Sequence, residues 1–101
     1  MYSIALAEFE YILLSAAIAL GDDAYGITIR EEIASTTRRS CSIGALYTTI
    51  DRLEKKGLLK TWVGESTPER GGHTKRMVRV TTAGVHAAKQ FRESPFASAA
   101  M

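Results

Sequence analysis

The chain has 101 residues, of which 46% are hydrophobic and 24% charged, and its formal net charge is +2. A chain of this length builds one domain with a modest core, and its composition is that of an ordinary soluble globular protein. A single cysteine, Cys41, excludes an internal disulfide bond and a cysteine-based zinc cluster.

Charge is unevenly distributed along the sequence. Residues 1–29 contain four acidic residues and no Lys or Arg, whereas residues 30–79 contain eleven basic against six acidic residues, a net of +5. This asymmetry indicates an anionic partner for the middle of the chain, although a solvated basic face would give the same pattern. The N-terminus lacks a basic signal-peptide region and the run YILLSAAIAL is too short to span a bilayer, so we expect a cytoplasmic protein.

The first predicted element is a helix over residues 5–20. One apolar set recurs at helical spacing on one side, and a second set lies on another side: Ala7, Tyr11, Leu14 and Ile18. A helix that is apolar nearly all round must be covered on more than one side. We therefore expect the second set to meet another subunit; the alternative is a helix central in its own core.

A turn and a second helix follow. The segment GDD predicts a C-terminal cap at Gly21 and an N-terminal cap at one of the two aspartates. A short helix over roughly residues 24–36 is indicated by the repeat Tyr25, Ile29 and Ile33. Gly26 lies near its start, where the missing side chain predicts the close approach of another backbone.

The third helix is predicted over residues 42–57, from an N-cap at Ser42 to a stop at Gly57. Its core-facing stripe is Ile43, Leu46, Ile50 and Leu53. The segments LLKTWV and RMVRVT then predict two strands separated by a long loop, residues 64–75. Thr81 or Thr82 caps a last helix that carries Val85, Ala88 and Phe91.

This order of elements predicts a mainly α winged helix-turn-helix fold. It comprises three helices, a two-stranded antiparallel hairpin as a small β-wing, and a C-terminal dimerisation helix. We expect a DNA-binding domain over residues 1–80, and a short dimerisation helix and tail over residues 81–101, in a single compact unit. In this class the second helix of the helix-turn-helix pair lies in the DNA major groove.

Candidate DNA-contacting residues lie on the third helix and in the wing. Small residues let the start of the helix lie close to DNA, threonines bind base edges or phosphates, and Arg52 reads guanine or grips a phosphate. The candidates on the helix are Ser42, Gly44, Ala45, Thr48, Thr49, Arg52 and Lys56. The wing adds Arg70, His73, Lys75 and Arg76, which suit backbone or minor-groove contact. In both sets, plain solvent-exposed residues are the alternative.

Three separated segments together resemble the PadR-like transcriptional regulators: EFEYILLSAAIALGDDAYGITIREEI, SIGALYTTIDRLEKKGLL and TPERGGHTKRMVRVTTAG. The resemblance covers roughly residues 6–90. It implies a winged-helix homodimer that binds operator DNA, usually as a repressor, and dimerises through its first and last helices. It also implies that Gly44 and Tyr47 belong to the DNA-binding unit, with a core-only tyrosine as the alternative. The implied interface is Tyr11, Leu14, Ile18, Val85, Ala88 and Phe91.

We therefore predict a sequence-specific DNA-binding regulator, a repressor that binds an inverted-repeat operator as a homodimer without a metal or other cofactor. The alternative is a winged-helix module that binds another protein and not DNA. An enzyme is excluded because neither histidine has a catalytic constellation around it in the sequence. A small-molecule effector and a redox role for Cys41 are left open. Trp62, in the first wing strand, is expected to pack between strand and helix.

Overall fold

Four α-helices and a two-stranded hairpin account for most of the residues that the structure describes. The computed structural model describes residues 6–64 and 75–93. The elements are α1 (Glu8–Leu20), α2 (Gly26–Thr37), α3 (Ile43–Lys55), β1 (Leu59–Val63), β2 (Arg76–Val80) and α4 (Thr82–Glu93), with a 3-10 turn at Gly21–Asp23. This order confirms the predicted winged helix-turn-helix fold. Within the described ranges, no helix has the length and apolar character needed to cross a bilayer.

Both ends of α3 follow from the residues that flank it. The Ser42 hydroxyl accepts a hydrogen bond of 3.0 Å from the backbone N–H three residues on, which satisfies one of the free donors at the helix start. At the other end Gly57 has a φ of 76°. The N–H groups of Gly57 and Leu58 donate to the carbonyls of Glu54 (2.9 Å) and Leu53 (3.0 Å). This Schellman arrangement needs a left-handed residue, so the predicted stop at Gly57 is confirmed.

The start of α2 differs from the prediction, because neither aspartate caps it. The Tyr25 N–H donates to the Thr28 hydroxyl oxygen at 3.0 Å, and that hydroxyl donates to the Asp23 carbonyl at 2.5 Å. Asp22 instead pairs with Arg79 of β2 at 2.7 Å. Both aspartates lie in the 3-10 turn that follows α1, before α2 begins at Gly26, which leaves the capping to Thr28.

The core forms around α1, which packs against α2, α3, α4 and β2. The largest fully buried side chains are Leu13, Leu14, Ile29, Ile33, Leu46, Ile50, Leu53, Leu58, Leu59 and Val78. On the second side of α1, Leu14 is buried and Tyr11 is half-buried within the chain, whereas Ala7 and Ile18 are exposed. Leu14 and Ala88 are 0% and 4% exposed, so both belong to this core and their assignment to a subunit interface was wrong.

The hairpin strands pair antiparallel along their whole length, and their residues alternate between two faces. Leu59 and Val78 point into the core and are each 1% exposed. Lys60, Trp62 and Arg79 are exposed on the outer face. The Trp62 side chain is 46% exposed and the Arg79 guanidinium lies 6.0 Å from its ring centre. The expectation that Trp62 packs between strand and helix was therefore wrong.

Candidate nucleic-acid interface

Helix α3 has one buried face and one exposed face. Leu46, Ile50 and Leu53 are fully buried against the core. On the opposite side, at spacings of i, i+4, i+7 and i+11, the exposed stripe consists of Gly44, Thr48, Asp51 and Lys55. Three other predicted contacts are also exposed beside this stripe: Ser42, Ala45 and Arg52. The packing of α3 thus leaves a continuous polar face, with small residues at its N-terminal end, open to a partner.

Three residues near α3 are placed differently from the prediction. Thr49 is 6% exposed and its hydroxyl donates to the Ala45 carbonyl at 2.8 Å, so it lies on the buried face and is unavailable to DNA. The Lys56 ammonium lies 3.0 Å from both carboxylate oxygens of Glu10, which holds it against α1 and away from the exposed face. Ile43 is 44% exposed and does not belong to the core stripe.

Lys55 is an exposed basic residue that is not among the predicted DNA contacts. It completes the exposed stripe of α3, whereas its neighbour Lys56 turns toward α1. Adjacent residues differ by about 100° around a helix of 3.6 residues per turn, so two neighbouring lysines reach different surroundings. The spacing from Thr48, which is seven residues earlier, is the signal that favours Lys55.

Tyr47 fills the space between α3 and the start of α2. A Cβ atom on Gly26 would lie 2.2 Å from the Tyr47 hydroxyl oxygen and 2.9 Å from the ring carbon that bears it. The close approach predicted at Gly26 is therefore made by a side chain and not by a backbone. Tyr47 is half-buried, and the Arg76 guanidinium lies 5.7 Å from its ring centre.

Two of the four predicted wing contacts, Arg70 and His73, lie outside the described residues. Lys75 is half-buried, with its ammonium 4.6 Å from the centre of the Tyr25 ring. Arg76 donates to a carboxylate oxygen of Asp51 at 2.5 Å and lies 3.5 Å from one of Glu54. Arg76 is therefore bound to α3 instead of projecting from the hairpin.

A second candidate surface is a shallow groove between α1, α4 and β2. It is lined by Ala17, Ile18, Gly21, Asp22, Arg79, Val80 and Val85. Ile18 and Val85 are 42% and 48% exposed, although both are large apolar residues. Tyr11 and Phe91 stack on each other with ring centres 4.5 Å apart, so they contribute to the packing of α1 against α4 within the chain.

A metal centre has no support in the described part of the chain, where no three His, Cys, Asp or Glu residues form a potential ligand group. The fold and the exposed face of α3 together define a winged helix-turn-helix protein of the kind that regulates transcription. More particularly, the chain belongs to the transcriptional regulator PadR-like family, whose model matches residues 14–90. This confirms the resemblance seen in the sequence, and it places the chain in a family of regulators and not of enzymes.

Solved structures agree with this assignment. The chain is similar to a transcriptional regulator from Clostridium thermocellum, with 32% identity over 83% of this chain and 78% of that one, at a TM-score of 0.70. A PadR-like transcription factor from Bacteroides fragilis shares the fold at 22% identity, over 91% and 84% of the two chains, with a TM-score of 0.69. The solved structure described as the complex structure of hsRosR-S4 also shares the fold. Its identity is 22% over 92% of this chain and 73% of that chain, with a TM-score of 0.68. No curated protein matches the chain.

Proposed function

We propose that the chain is a sequence-specific repressor that binds an inverted-repeat operator as a homodimer. The observation that carries the proposal is the exposed face of α3, which combines small residues at the helix start with Thr48, Arg52 and Lys55 further along. Such a face suits the major groove, because small residues permit close approach while hydroxyl and guanidinium groups read base edges or bind phosphates.

Gly44 supports this interpretation. Apart from its chain neighbours and the backbone of α3 itself, no described atom lies within 4 Å of the position that a Cβ atom on Gly44 would occupy, so packing within the described chain does not require a glycine there. Glycine inside a helix costs about 1 kcal/mol relative to alanine. A small residue kept at an exposed position for no internal packing reason is consistent with close contact to an external partner such as DNA.

Arg52 is the best candidate for reading a base. It is exposed, and it takes part in none of the ion pairs found among residues 6–64 and 75–93. Its guanidinium can donate two hydrogen bonds to a guanine edge. Lys55, at the end of the same exposed face, suits a phosphate contact that contributes affinity without sequence information.

The homodimer is proposed to form through the groove between α1 and α4. Ile18 and Val85 are exposed there on two adjoining helices. A two-fold axis through this surface would place these two residues of one subunit against the same two residues of the other. A two-fold dimer would bind two inverted half-sites with centres about 34–36 Å apart, one turn of B-DNA, or a multiple of that distance.

The first test is a titration of the protein with a labelled duplex from the region upstream of its own gene, and with a scrambled duplex, at several salt concentrations. We expect a preference for the upstream duplex that survives moderate salt. Weak, steeply salt-dependent binding to both duplexes would mean that this region holds no operator. No binding at low salt would contradict the proposal and favour the protein-binding alternative.

Arg52→Ala should weaken binding to the specific duplex by roughly 1–3 kcal/mol and alter the sequence preference, since a bidentate base contact is lost. The matched control is Arg92→Ala, which removes an exposed arginine from α4. Fluorescence anisotropy with both duplexes measures the two effects. Equal affinities of the Arg52 variant and the parent for every duplex would remove Arg52 from the interface.

A further inference from the structure

We propose that Arg76 is a positioning residue, which fixes the wing to the recognition helix α3 and makes no DNA contact of its own. The sequence analysis assigned Arg76 to direct DNA contact, and the contacts around it favour a different role. This inference deepens the proposed function and rests on it, because it concerns how α3 and the wing are held for joint binding to DNA.

Arg76 connects the first residue of β2 to one side of α3. Its guanidinium lies 2.5 Å from a carboxylate oxygen of Asp51, 3.5 Å from one of Glu54 and 5.7 Å from the ring centre of Tyr47. These three residues are spaced at i, i+4 and i+7, so they line one side of the helix. The Arg76 side chain is 30% exposed, which shields these contacts more than those of a fully solvated ion pair.

Glu54 extends the connection to the other strand of the hairpin. One of its carboxylate oxygens accepts hydrogen bonds from the Thr61 hydroxyl at 2.8 Å and from the Thr61 N–H at 3.2 Å. Both strands are therefore tied to α3 by side chains that α3 supplies. Together Asp51, Glu54, Thr61 and Arg76 form what we call the wing clamp.

The charges at the clamp argue against a phosphate contact by Arg76. Asp51 lies in the middle of the exposed stripe of α3, between Thr48 and Lys55, where an unpaired carboxylate would repel phosphate. The single guanidinium of Arg76 faces two carboxylates, which leaves it no surplus positive charge. Its contribution is to neutralise the acidic side chains beside the DNA-binding face and to hold the hairpin at a fixed angle.

A fixed angle matters because α3 and the wing would bind the same duplex. When two binding elements are held in the bound arrangement beforehand, the ordering cost on association is smaller. Release of the clamp should therefore weaken DNA binding even though the atoms that touch DNA are unchanged.

The experiment compares Asp51→Ala, Arg76→Met and the double variant with the parent protein, by anisotropy titration of the labelled upstream duplex. We expect each single variant to bind about three- to tenfold more weakly, and the double variant to bind no more weakly than the weaker single variant. The decisive observation is whether Asp51→Ala weakens or strengthens DNA binding. If Arg76 contacted phosphate directly, removal of a negative charge beside it would strengthen binding.

Two further variants separate positioning from charge and from folding. Arg76→Lys should recover most of the parent affinity, because an ammonium group can also pair with Asp51 and Glu54. Lys60→Met removes an exposed cation from the outer face of the same hairpin and should change the affinity by less than about twofold. Thermal unfolding of each variant shows whether it is folded at the titration temperature, and Asp51→Ala, at an exposed position, tests the proposal alone if Arg76→Met does not fold.

Each outcome decides between the two proposals. Tighter binding by Asp51→Ala, or additive losses in the double variant, would overturn the wing clamp while leaving DNA binding intact. The proposal would also be overturned if Asp51→Ala and Arg76→Met both lowered the unfolding temperature but left the DNA affinity unchanged, because the contacts would then be purely structural. Failure of the parent to bind any duplex at low salt would overturn the proposed function and the clamp together.

Discussion

Gly26 and Gly44 lie on the two helices of the helix-turn-helix pair, and their surroundings differ. At Gly26 the Tyr47 hydroxyl occupies the space of the missing side chain, 2.2 Å from where a Cβ atom would lie. At Gly44 no described atom lies within 4 Å of that position, apart from the chain neighbours and the backbone of α3 itself. The first glycine is therefore required by internal packing, whereas packing among the described residues gives no such reason for the second.

Gly26→Ala should lower the free energy of unfolding by about 1–3 kcal/mol, because Tyr47 must leave its position or α2 must shift away from α3. Gly44→Ala, the matched control, should be neutral or raise the free energy by up to about 1 kcal/mol, as expected for alanine in a helix. Urea denaturation measures both. Adding Tyr47→Phe to Gly26→Ala removes the closest atom and should restore part of the loss; equal effects of the two glycine variants would contradict this account.

At the level of single residues, sequence reasoning also misjudged which positions of α3 are exposed. It grouped Thr49 with Thr48 and chose Lys56 instead of Lys55. Both errors have one cause, since the stripe taken to face the core included Ile43, which is 44% exposed. Including Ile43 moved the centre of the predicted core-facing stripe around the helix, away from Thr49, so that Thr49 was predicted to be exposed. The exposed positions that follow from buried Leu46, Ile50 and Leu53 could have been found, but only if Ile43 were known to lie outside the core.

At the scale of whole elements, α1 and the end of α3 are joined by an ion pair. Glu10 is only 3% exposed at its side chain, and its carboxylate accepts hydrogen bonds from the Ala7 N–H at 2.8 Å and from the Lys56 ammonium at 3.0 Å. A buried carboxylate needs such partners, because an unpaired buried charge is costly. The pair therefore fixes the end of α3 against α1.

Lys56→Met should lower the free energy of unfolding by about 1–3 kcal/mol, since Glu10 loses its ammonium partner in a buried position. The adjacent Lys55→Met should change stability by less than about 0.5 kcal/mol, as usual for an exposed residue. In DNA titrations we expect the opposite ranking, with the larger effect for Lys55→Met. The Lys55 variant should lose affinity and reduce the slope of log affinity against log salt by about 0.9, as for one lost phosphate contact.

Urea denaturation and anisotropy at several salt concentrations measure these two properties separately. If Lys56→Met were as stable as the parent, the ion pair with Glu10 would have no structural role. If Lys55→Met kept the full salt slope, Lys55 would not contact phosphate.

The elements themselves could be predicted from the sequence because their signals are local. The predicted limits of α3, Ser42 and Gly57, lie within two residues of its observed ends. At the start of α4 the Thr81 hydroxyl accepts a hydrogen bond from the Gly84 N–H at 3.1 Å, as the capping pattern indicated. Whether an apolar residue faces its own core or another molecule is not a local property. Leu14 and Ala88 look like interface residues in the sequence, and only the packing of α1 against four other elements shows that they are buried.

Across the whole molecule, the fold brings acidic residues of the N-terminal segment into ion pairs with basic residues from the middle of the chain. Three acidic residues of the N-terminal segment bind cations from the basic middle of the chain, in the pairs Glu8–Arg39, Glu10–Lys56 and Asp22–Arg79. These cations serve as internal partners of the chain. The positive charge on the exposed face of α3 therefore lies mainly with Arg52 and Lys55, a smaller and better-defined set than the count of basic residues implies.

The groove between α1 and α4 gives the remaining prediction, which concerns the assembly. Ile18→Glu and Val85→Glu should each convert the proposed dimer to monomers, because burial of a carboxylate in an apolar interface is strongly unfavourable. Ile27→Glu is the matched control, since Ile27 is also exposed, at 39%, but lies on α2. Light scattering coupled to size-exclusion chromatography gives the mass of each species over a range of protein concentrations.

Loss of the dimer should also weaken operator binding, because a two-fold dimer engages its second half-site at a high effective concentration. The affinity of the monomeric variants for an intact inverted repeat should fall by about 10²–10⁴-fold, whereas their affinity for a duplex with one half-site should match that of the parent. Anisotropy titrations with the two duplexes measure this difference. A variant at Ile18 that remains dimeric and binds the repeat normally would locate the dimer contact elsewhere on the molecule. A monomeric variant with full affinity for the repeat would show that the chain binds DNA without a partner subunit.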